Sequence, residues 1–413
     1  MTAPSIDALR QACAGNTDWA AEILRTLISV QSLSGKEGQV IALVGDLMRE
    51  VGIPDVRVDG FGNIIGTFGS GSPILAFDAH LDTVDTGDLR QWDTDPFQGV
   101  IKDGRMYGRG AADQKGGMAS LLLAAKVWRE LHFELPGTIL IVGSVQEEDC
   151  DGLCWQYLIE RERVAPDAVI LTEPTNLRLS TGQRGRMEIE VEATGISCHG
   201  SEPERGINAI SRLAPVVADI DALNSSLPDD PFLGKGTVTV TEFRSQSPSL
   251  CAVPDLARLH LDRRLTMHET PKGALEQIKN LGSVKAAQAQ VRARRYSTPS
   301  HRGTVFETDA VFPTWVLPED HYLVQAGIST FRQAFDSEPV ISRWRFSTNG
   351  VAVCGKHKIP CIGFGPGSED EAHKANESIP IADIAKVSLF FAVLPSIFSD
   401  FFRILKDKTK DSN

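Results

Sequence analysis

Between Asp18 and Val30 apolar residues recur as Trp19, Ile23, Leu24, Leu27 and Ile28, a spacing that predicts an amphipathic helix opening the fold. Four short runs, Pro73–Phe77, Thr138–Val145, Ala168–Leu171 and Pro360–Phe364, are apolar without alternation, and each ends at a polar cluster. Runs of that kind predict strands buried on both faces. Met118–Leu131, between the first two, predicts a helix. Continuous apolar strands separated by helices imply an α/β fold on a mostly parallel sheet, in which functional groups collect just past the carboxyl ends of the strands.

The pattern changes after Gly185. Met187, Ile189, Val191 and Ala193 alternate with Arg186, Glu188, Glu190 and Glu192, and Thr237–Thr241 and Ala257–Leu265 also read as half-exposed strands. Ile207–Leu223 and Lys272–Leu281 read as helices. This is the texture of a smaller α+β domain with one solvated sheet face. From about Ser300 the chain returns to the first texture, so the expected organisation is a discontinuous catalytic domain, residues 1–182 and 299–413, interrupted by a second domain at 183–298.

Composition narrows the classes. The 413 residues are enough for more than one core, and 42% hydrophobic with 23% charged residues excludes collagen-like and disordered chains. A net charge of -12 offers no footprint for nucleic acid or an anionic membrane surface. Seven scattered cysteines are no disulfide framework, and Met1–Arg10 has no apolar core of a signal peptide, so a cytoplasmic location is expected. The most apolar stretch, Val387–Leu394, stops at Pro395, short of the roughly 20 residues of a membrane span. The tail beyond Pro395 is weakly amphipathic and is expected to pack on its own domain.

The ionisable residues gather where the apolar runs end. His80 and Asp82 follow the first strand, Glu147 and Glu148 the second, and Glu173 the third. Asp113 precedes the helix at Met118, and His373 follows the strand at Pro360. So many carboxylates in one crevice cannot stay unpaired, because burying like charges is costly; divalent cations resolve the conflict. Two histidines with three carboxylates form a mixed N/O set suited to Zn, Co or Mn. The charges of Asp113, Glu148 and Glu173 together with a bridging hydroxide balance two such ions, a pair able to generate that hydroxide near neutral pH. Gly108-Arg-Gly110 lacks the third glycine of a dinucleotide fingerprint, and there is no P-loop, His-Glu-x-x-His or Gly-x-Ser-x-Gly motif.

His80-Leu-Asp82-Thr-Val, Gly108-Arg-Gly-Ala-Ala-Asp113-Gln-Lys-Gly-Gly, Glu147-Glu148, Thr172-Glu173-Pro174, Cys198-His199-Gly-Ser-Glu-Pro203 and Gly365-Pro-Gly with His373 resemble the acetylornithine deacetylase and succinyl-diaminopimelate desuccinylase family of dinuclear metallohydrolases. The match runs in order from about residue 20 to 395. Val145–Trp155 and Trp344–Gly350 are more similar still to its YgeY-type hydrolases. The resemblance implies that Asp113 bridges two zinc ions, His80 and Glu173 complete one, and Glu148 and His373 the other. It implies that Asp82 orients His80, that Glu147 is the general base, and that the Asp113–Gln114 peptide is cis. It makes the inserted domain a lid and dimerisation domain whose His199 reaches the partner subunit's site to stabilise an oxyanion. Arg264 and the backbone of the Asn349–Gly350 loop would bind a substrate carboxylate, although the spacing also allows Arg264 an ion pair with Asp262.

The expected function is therefore hydrolysis of the amide bond of an N-acyl or N-carbamoyl amino acid by a homodimeric zinc enzyme, with hydroxide as nucleophile. A dipeptidase or aminopeptidase acting on small peptides is the alternative. A noncatalytic, metal-stabilised interaction protein is a third reading, disfavoured because holding metal needs neither Glu147 nor His199.

Overall fold

The computed structural model describes residues 4–410. Its central element is a nine-stranded sheet, and its inner strands are the expected ones: Thr138–Ser144, Ile74–His80, Ala168–Leu171 and Cys361–Gly363 lie side by side in that order, all parallel. Almost every residue of these strands is buried, as their unbroken apolar runs require.

The sheet as a whole is not mostly parallel, which corrects the expectation. Ile64–Gly69 joins one side antiparallel to Thr138–Ser144 and is followed by Asp55–Val58, also antiparallel. On the other side Leu179–Gln183 pairs antiparallel with Cys361–Gly363 and with Trp315–Val316, and parallel with Ile341–Trp344. The outer strands are short or interrupted by glycine, so no continuous apolar run announces them.

Helices cover the sheet. Thr17–Ile28 and Gly116–Glu130 appear where helical spacing predicts them, and an additional helix, Ile6–Gly15, precedes the first; only Leu9 and Cys13 of it are buried, too few to mark a periodic face. The helix Ile381–Lys410 continues through Pro395. Among the described residues it is the one helix long and apolar enough to cross a membrane, but 72% of that apolar window is buried within the fold. Phe390, Phe391, Leu394 and Phe398 pack into the large core, so its hydrophobicity is spent on tertiary contacts.

A second sheet, in the order Thr237–Gln246, Leu256–Leu265, Gly185–Thr194, Gln290–Ala293, is antiparallel, with Val311–Phe312 also pairing onto Gly185–Thr194. Its apolar face, Met187, Ile189, Val191, Leu259 and Leu261, packs under helices Ala209–Ser226 and Pro271–Lys279 as a separate hydrophobic cluster. The opposite face is a charge ladder. Its end nearest the large sheet, Arg186 and Arg264, faces the ionisable cluster at the large sheet's edge.

Candidate metal centre

Five segments deliver the expected residues to one place. His80 closes the central strand with 1% of its surface exposed, and Glu147, Glu148 and Glu173 follow the neighbouring strands. His80 Nε2 lies 2.9 Å from Asp113 Oδ1, 3.6 Å from Glu173 Oε1 and 4.0 Å from Glu147 Oε2. His373 Nε2 lies 2.8 Å from Glu148 Oε2 and 3.3 Å from the other oxygen of Asp113. Asp113 thus offers one carboxylate oxygen to each histidine. The Asp113–Gln114 peptide is cis.

The tautomer of His80 follows from its other nitrogen. Nδ1 is 2.9 Å from the carbonyl oxygen of Asp82, which can only accept, so Nδ1 carries a proton and Nε2 is the nitrogen left to face a cation; without one, burial opposes protonation but the charge of Glu173 and the bond to Asp113 outweigh it, and Nε2 donates to Asp113. The Asp82 carboxylate stands further from Nδ1, at 3.6 Å, and does more for the next loop. It accepts from the backbone N–H groups of Glu147 at 3.1 Å and Glu148 at 3.0 Å and from the Ser34 hydroxyl at 2.7 Å.

Electrostatics call for cations here. Burial pushes Glu147 and Glu173 well above the usual carboxylate range; the charge of Glu173 pushes Glu147 further, and those of Asp113 and Glu148 push Glu173. Burial and the neighbouring Asp113 bring Glu148 up to about 7. Asp113 moves the other way: burial opposes its ionisation, but hydrogen bonds from His373 and His80 outweigh it. Bonds to Asp113 and Glu148 hold the His373 proton up to about 10. One oxygen each of Glu147, Glu148 and Glu173 is buried with no hydrogen-bond partner. Such orphaned lone pairs normally cost about 1–3 kcal/mol apiece. Two donor sets, His80 with Glu147 and Glu173, and His80 with Asp113 and Glu148, each hold their ligand atoms within 4.8 Å of one another. The residues fit divalent cations of the Zn, Co or Mn type.

Glu377, which the sequence did not single out, locks the Asp113 loop. Fully buried, its carboxylate accepts from the N–H groups of Gly110 at 3.0 Å, Ala112 at 2.8 Å and Asp113 at 3.0 Å, and from Arg109 at 2.7 Å. Gly365 marks a close approach on the opposite side. A Cβ there would stand 2.2 Å from the Glu173 carbonyl oxygen, so only glycine lets the two loops meet.

A cavity of about 220 Å³ opens over the cluster, with Arg264, Asp151, Arg186 and Glu369 in its wall. Arg264 both lines the cavity and forks onto Asp262, at 2.7 and 3.1 Å. Asn349 does not line it. The Asn349 amide is buried beneath, donating to Asp78 at 2.8 Å and accepting from the Gly152 N–H at 2.9 Å, while Gly350 is pressed against Trp315; Phe346 and Ser347 are the members of that loop that reach the cavity. His199 lies elsewhere, on an exposed loop of the smaller core, and within one chain does not line the cavity. Sequence reasoning passed over Asp151, although it stands beside Glu147-Glu148, and over Arg186, whose place opening an alternating strand was its only signal.

Fold and site together define a metal-dependent hydrolase of amide or peptide bonds. Residues 76–395 match peptidase family M20/M25/M40, and the chain belongs to that family. The chain is 45% identical over 372 residues to the uncharacterized protein YgeY of Escherichia coli (strain K12), covering 90% of this chain and 92% of that one. It is 28% identical to the acetylornithine deacetylase of Erwinia tasmaniensis, covering 88% and 93%. In fold it is similar to the M20 family metallo-carboxypeptidase Sso-CP2 from Sulfolobus solfataricus, with a TM-score of 0.73 over 92% of this chain and 99% of that one at 17% identity.

Proposed function

We propose that the chain hydrolyses the amide bond of a small amino-acid derivative bearing a carboxylate, with short peptides placed ahead of N-acyl amino acids. That order reverses the expectation from sequence. Beyond the cluster itself, Arg186 and Arg264 are already partnered by Asp151, Glu188 and Asp262, with Glu188 also paired to Arg294, so the wall carries no surplus of positive charge. A wall with that balance favours a substrate that brings a positive group along with its carboxylate.

His80, Asp113 and Glu173 would hold one divalent ion and Asp113, Glu148 and His373 a second, zinc being our assignment for both. When bound, such ions supply Lewis acidity, acidifying water and polarising the scissile carbonyl. Glu147 is the proton carrier. Its carboxylate stands 4.0 Å from His80 and keeps a buried oxygen free of hydrogen bonds, so it can take a proton from the attacking water and pass it to the leaving amine. The Asp82 carboxylate, bonded to the amides of Glu147 and Glu148, fixes the direction of that base. Arg264 offers a fork to the substrate carboxylate. We assign residues 183–298 the role of lid and dimerisation domain, through which His199 of a second copy would complete the site as an oxyanion donor.

The observation that carries this reading is the single Asp113 carboxylate shared between two histidines beside an unpartnered, buried Glu147. The test is primary-amine release by zinc-loaded protein from a panel of dipeptides and N-acetyl, N-succinyl and N-carbamoyl amino acids. Release that requires added metal and disappears with Glu147→Gln supports it. Silence across the panel with two metals bound per chain overturns it.

A further inference from the structure

Asp151 is buried in the cavity wall, 3% exposed, on the loop that carries Glu147 and Glu148. One oxygen accepts from the Arg186 guanidinium at 3.0 Å, across from the large core to the first strand of the smaller one. Its other oxygen is buried with no hydrogen-bond partner. That places Asp151 in the same condition as Glu147, Glu148 and Glu173, which line the same cavity. Bound cations would meet the deficit of those three; nothing among the described residues meets that of Asp151. The neighbouring guanidinium gives one N–H to Asp151 and another to Glu188 at 2.7 Å, and its Nε is itself buried without a hydrogen-bond partner, so the contact between loop and strand is left one bond short on each side.

A carboxylate with a vacant lone pair beside a substrate cavity lacks an N–H donor. Asp151 stands on the loop of the Glu147 base and lines the same cavity as Arg264, to which Arg186 and Asp262 connect it. Resting on the hydrolase reading above, we propose that Asp151 is a specificity-determining residue that accepts a hydrogen bond from an N–H group on the acyl portion of the substrate. The shared chemistry is a nitrogen donor, supplied by the α-ammonium of a peptide or by the terminal amide of a carbamoyl group. Acetyl and succinyl groups carry no such donor and leave the Asp151 oxygen unsatisfied in the closed site. A site built to bond an N–H rejects an analogue lacking it far more strongly than an apolar pocket rejects a missing methylene.

The experiment uses zinc-loaded full-length protein and three substrates sharing one leaving amino acid: glycyl-alanine, N-carbamoyl-alanine and N-acetyl-alanine. The wild type is expected to favour at least one of the first two over N-acetyl-alanine by at least ~10-fold in kcat/KM; which of the two leads identifies the source of the donor. Asp151→Asn keeps the shape and its own N–H in place of an acceptor, and is expected to erase that preference while leaving N-acetyl-alanine turnover within a few-fold. Calorimetric binding to Glu147→Gln protein, with and without Asp151→Asn, reads the same preference without turnover. An equal loss on all three substrates with normal metal content makes Asp151 only a strut for Arg186 and overturns the proposal. So does a wild type that prefers N-acetyl-alanine, a result needing no variant. Silence of the wild type on all three overturns the hydrolase reading instead.

Discussion

Two histidines are assigned to one reaction, and the fold treats them oppositely. His80 is 1% exposed at the end of a central strand, with Asp82, Asp113, Glu147 and Glu173 all within 4.0 Å of its ring nitrogens. His199 is exposed on a loop of the smaller core, where its Nδ1 meets only the hydroxyl and amide of Ser201 among the described residues. The same contrast divides the regions around them. The edge of the large sheet is held from behind: Glu377 holds the Asp113 loop, and Asp82 holds the Glu147–Glu148 turn. The loop Cys198–Glu202 is held by a few backbone bonds, such as the Gly200 N–H to the Cys251 carbonyl at 2.7 Å, and leaves the His199 ring exposed. A charge cluster must be positioned before cations arrive, whereas a group supplied to another copy must stay accessible until the copies meet.

The sharpest test of the buried side is Glu147→Gln. The substitution keeps the carbonyl oxygen and the shape but removes the proton carrier, so kcat should fall by roughly 10²–10⁴-fold. Metal content by atomic emission should remain near wild type, because Glu147 is not among the five residues assigned as ligands. Loss of metal together with activity would move Glu147 from base to ligand, a role that its grouping with His80 and Glu173 makes chemically open.

On the exposed side, His199→Ala should lower kcat by on the order of 10²-fold, the effect of losing one oxyanion donor. Stability should shift by no more than about 0.5 kcal/mol, as for a surface position. Mixing inactive His199→Ala and Glu147→Gln chains makes the comparison more demanding. If His199 serves a second copy, heterodimers regain one intact site of two, and about a quarter of wild-type activity returns in a random mixture. No recovery would place His199 outside the reaction.

Glu377→Ala probes the support behind the buried side directly. Removing the carboxylate strands Arg109, 2% exposed, and frees three backbone N–H groups of the Asp113 loop. Leaving one member of a buried ion pair unpaired costs about 3–5 kcal/mol, which should appear as a large fall in Tm and weaker metal retention during dialysis. Nothing near Glu377 in sequence shows this role, since Arg109 stands 268 residues away. His80, Glu147, Glu148, Glu173 and His373 were legible for the opposite reason: each terminates or follows an apolar run, so the sheet's own pattern says where its edge lies, while Asp113 was marked by the helix it precedes. The outer antiparallel strands were not legible, because Trp315–Val316 is two residues long and Ile64–Gly69 carries glycines inside it. Pro395 misled as a stop signal. Phe390, Phe391, Leu394 and Phe398 bury the helix on both sides of it, and that packing outweighs the one hydrogen bond a proline removes.

Protons compete with metal at the buried cluster, and the sign is fixed by the direction of the shifts. In the metal-free fold Glu148 is raised from 4.5 to about 7 and His373 from 6.5 to about 10. Groups raised in this way stabilise the metal-free fold most below their ordinary values, and that contribution is lost as pH rises through the folded ones. The Tm of metal-free protein should therefore fall between about pH 5 and 8 as Glu148 ionises. Metal displaces the same protons, so apparent affinity should rise over that interval, by up to about tenfold per pH unit for each proton released. Isothermal titration in two buffers of different ionisation enthalpy counts those protons. Affinity independent of pH would mean that neither Glu148 nor His373 is a ligand.

Thiol chemistry offers the smallest effect and separates the two regions most simply. Burial pushes Cys13 up to about 12 and Cys150 and Cys154, in the site loop, well above the ordinary thiol value. Cys251 is exposed beside the His199 loop, where its own carbonyl holds Gly200. With an aromatic disulfide reagent near pH 8, Cys251 should react first and half-buried Cys198 more slowly, while Cys150 and Cys154 wait for unfolding. A bulky adduct on Cys251 crowds a loop that holds no part of the buried cluster. Activity should accordingly drop a few-fold, with Tm and metal content unchanged, and His199→Ala protein should lose nothing further on modification. If Cys150 or Cys154 instead reacts at the same rate in the folded, metal-loaded protein, the site loop opens in solution and the rigid member of the comparison is the wrong one.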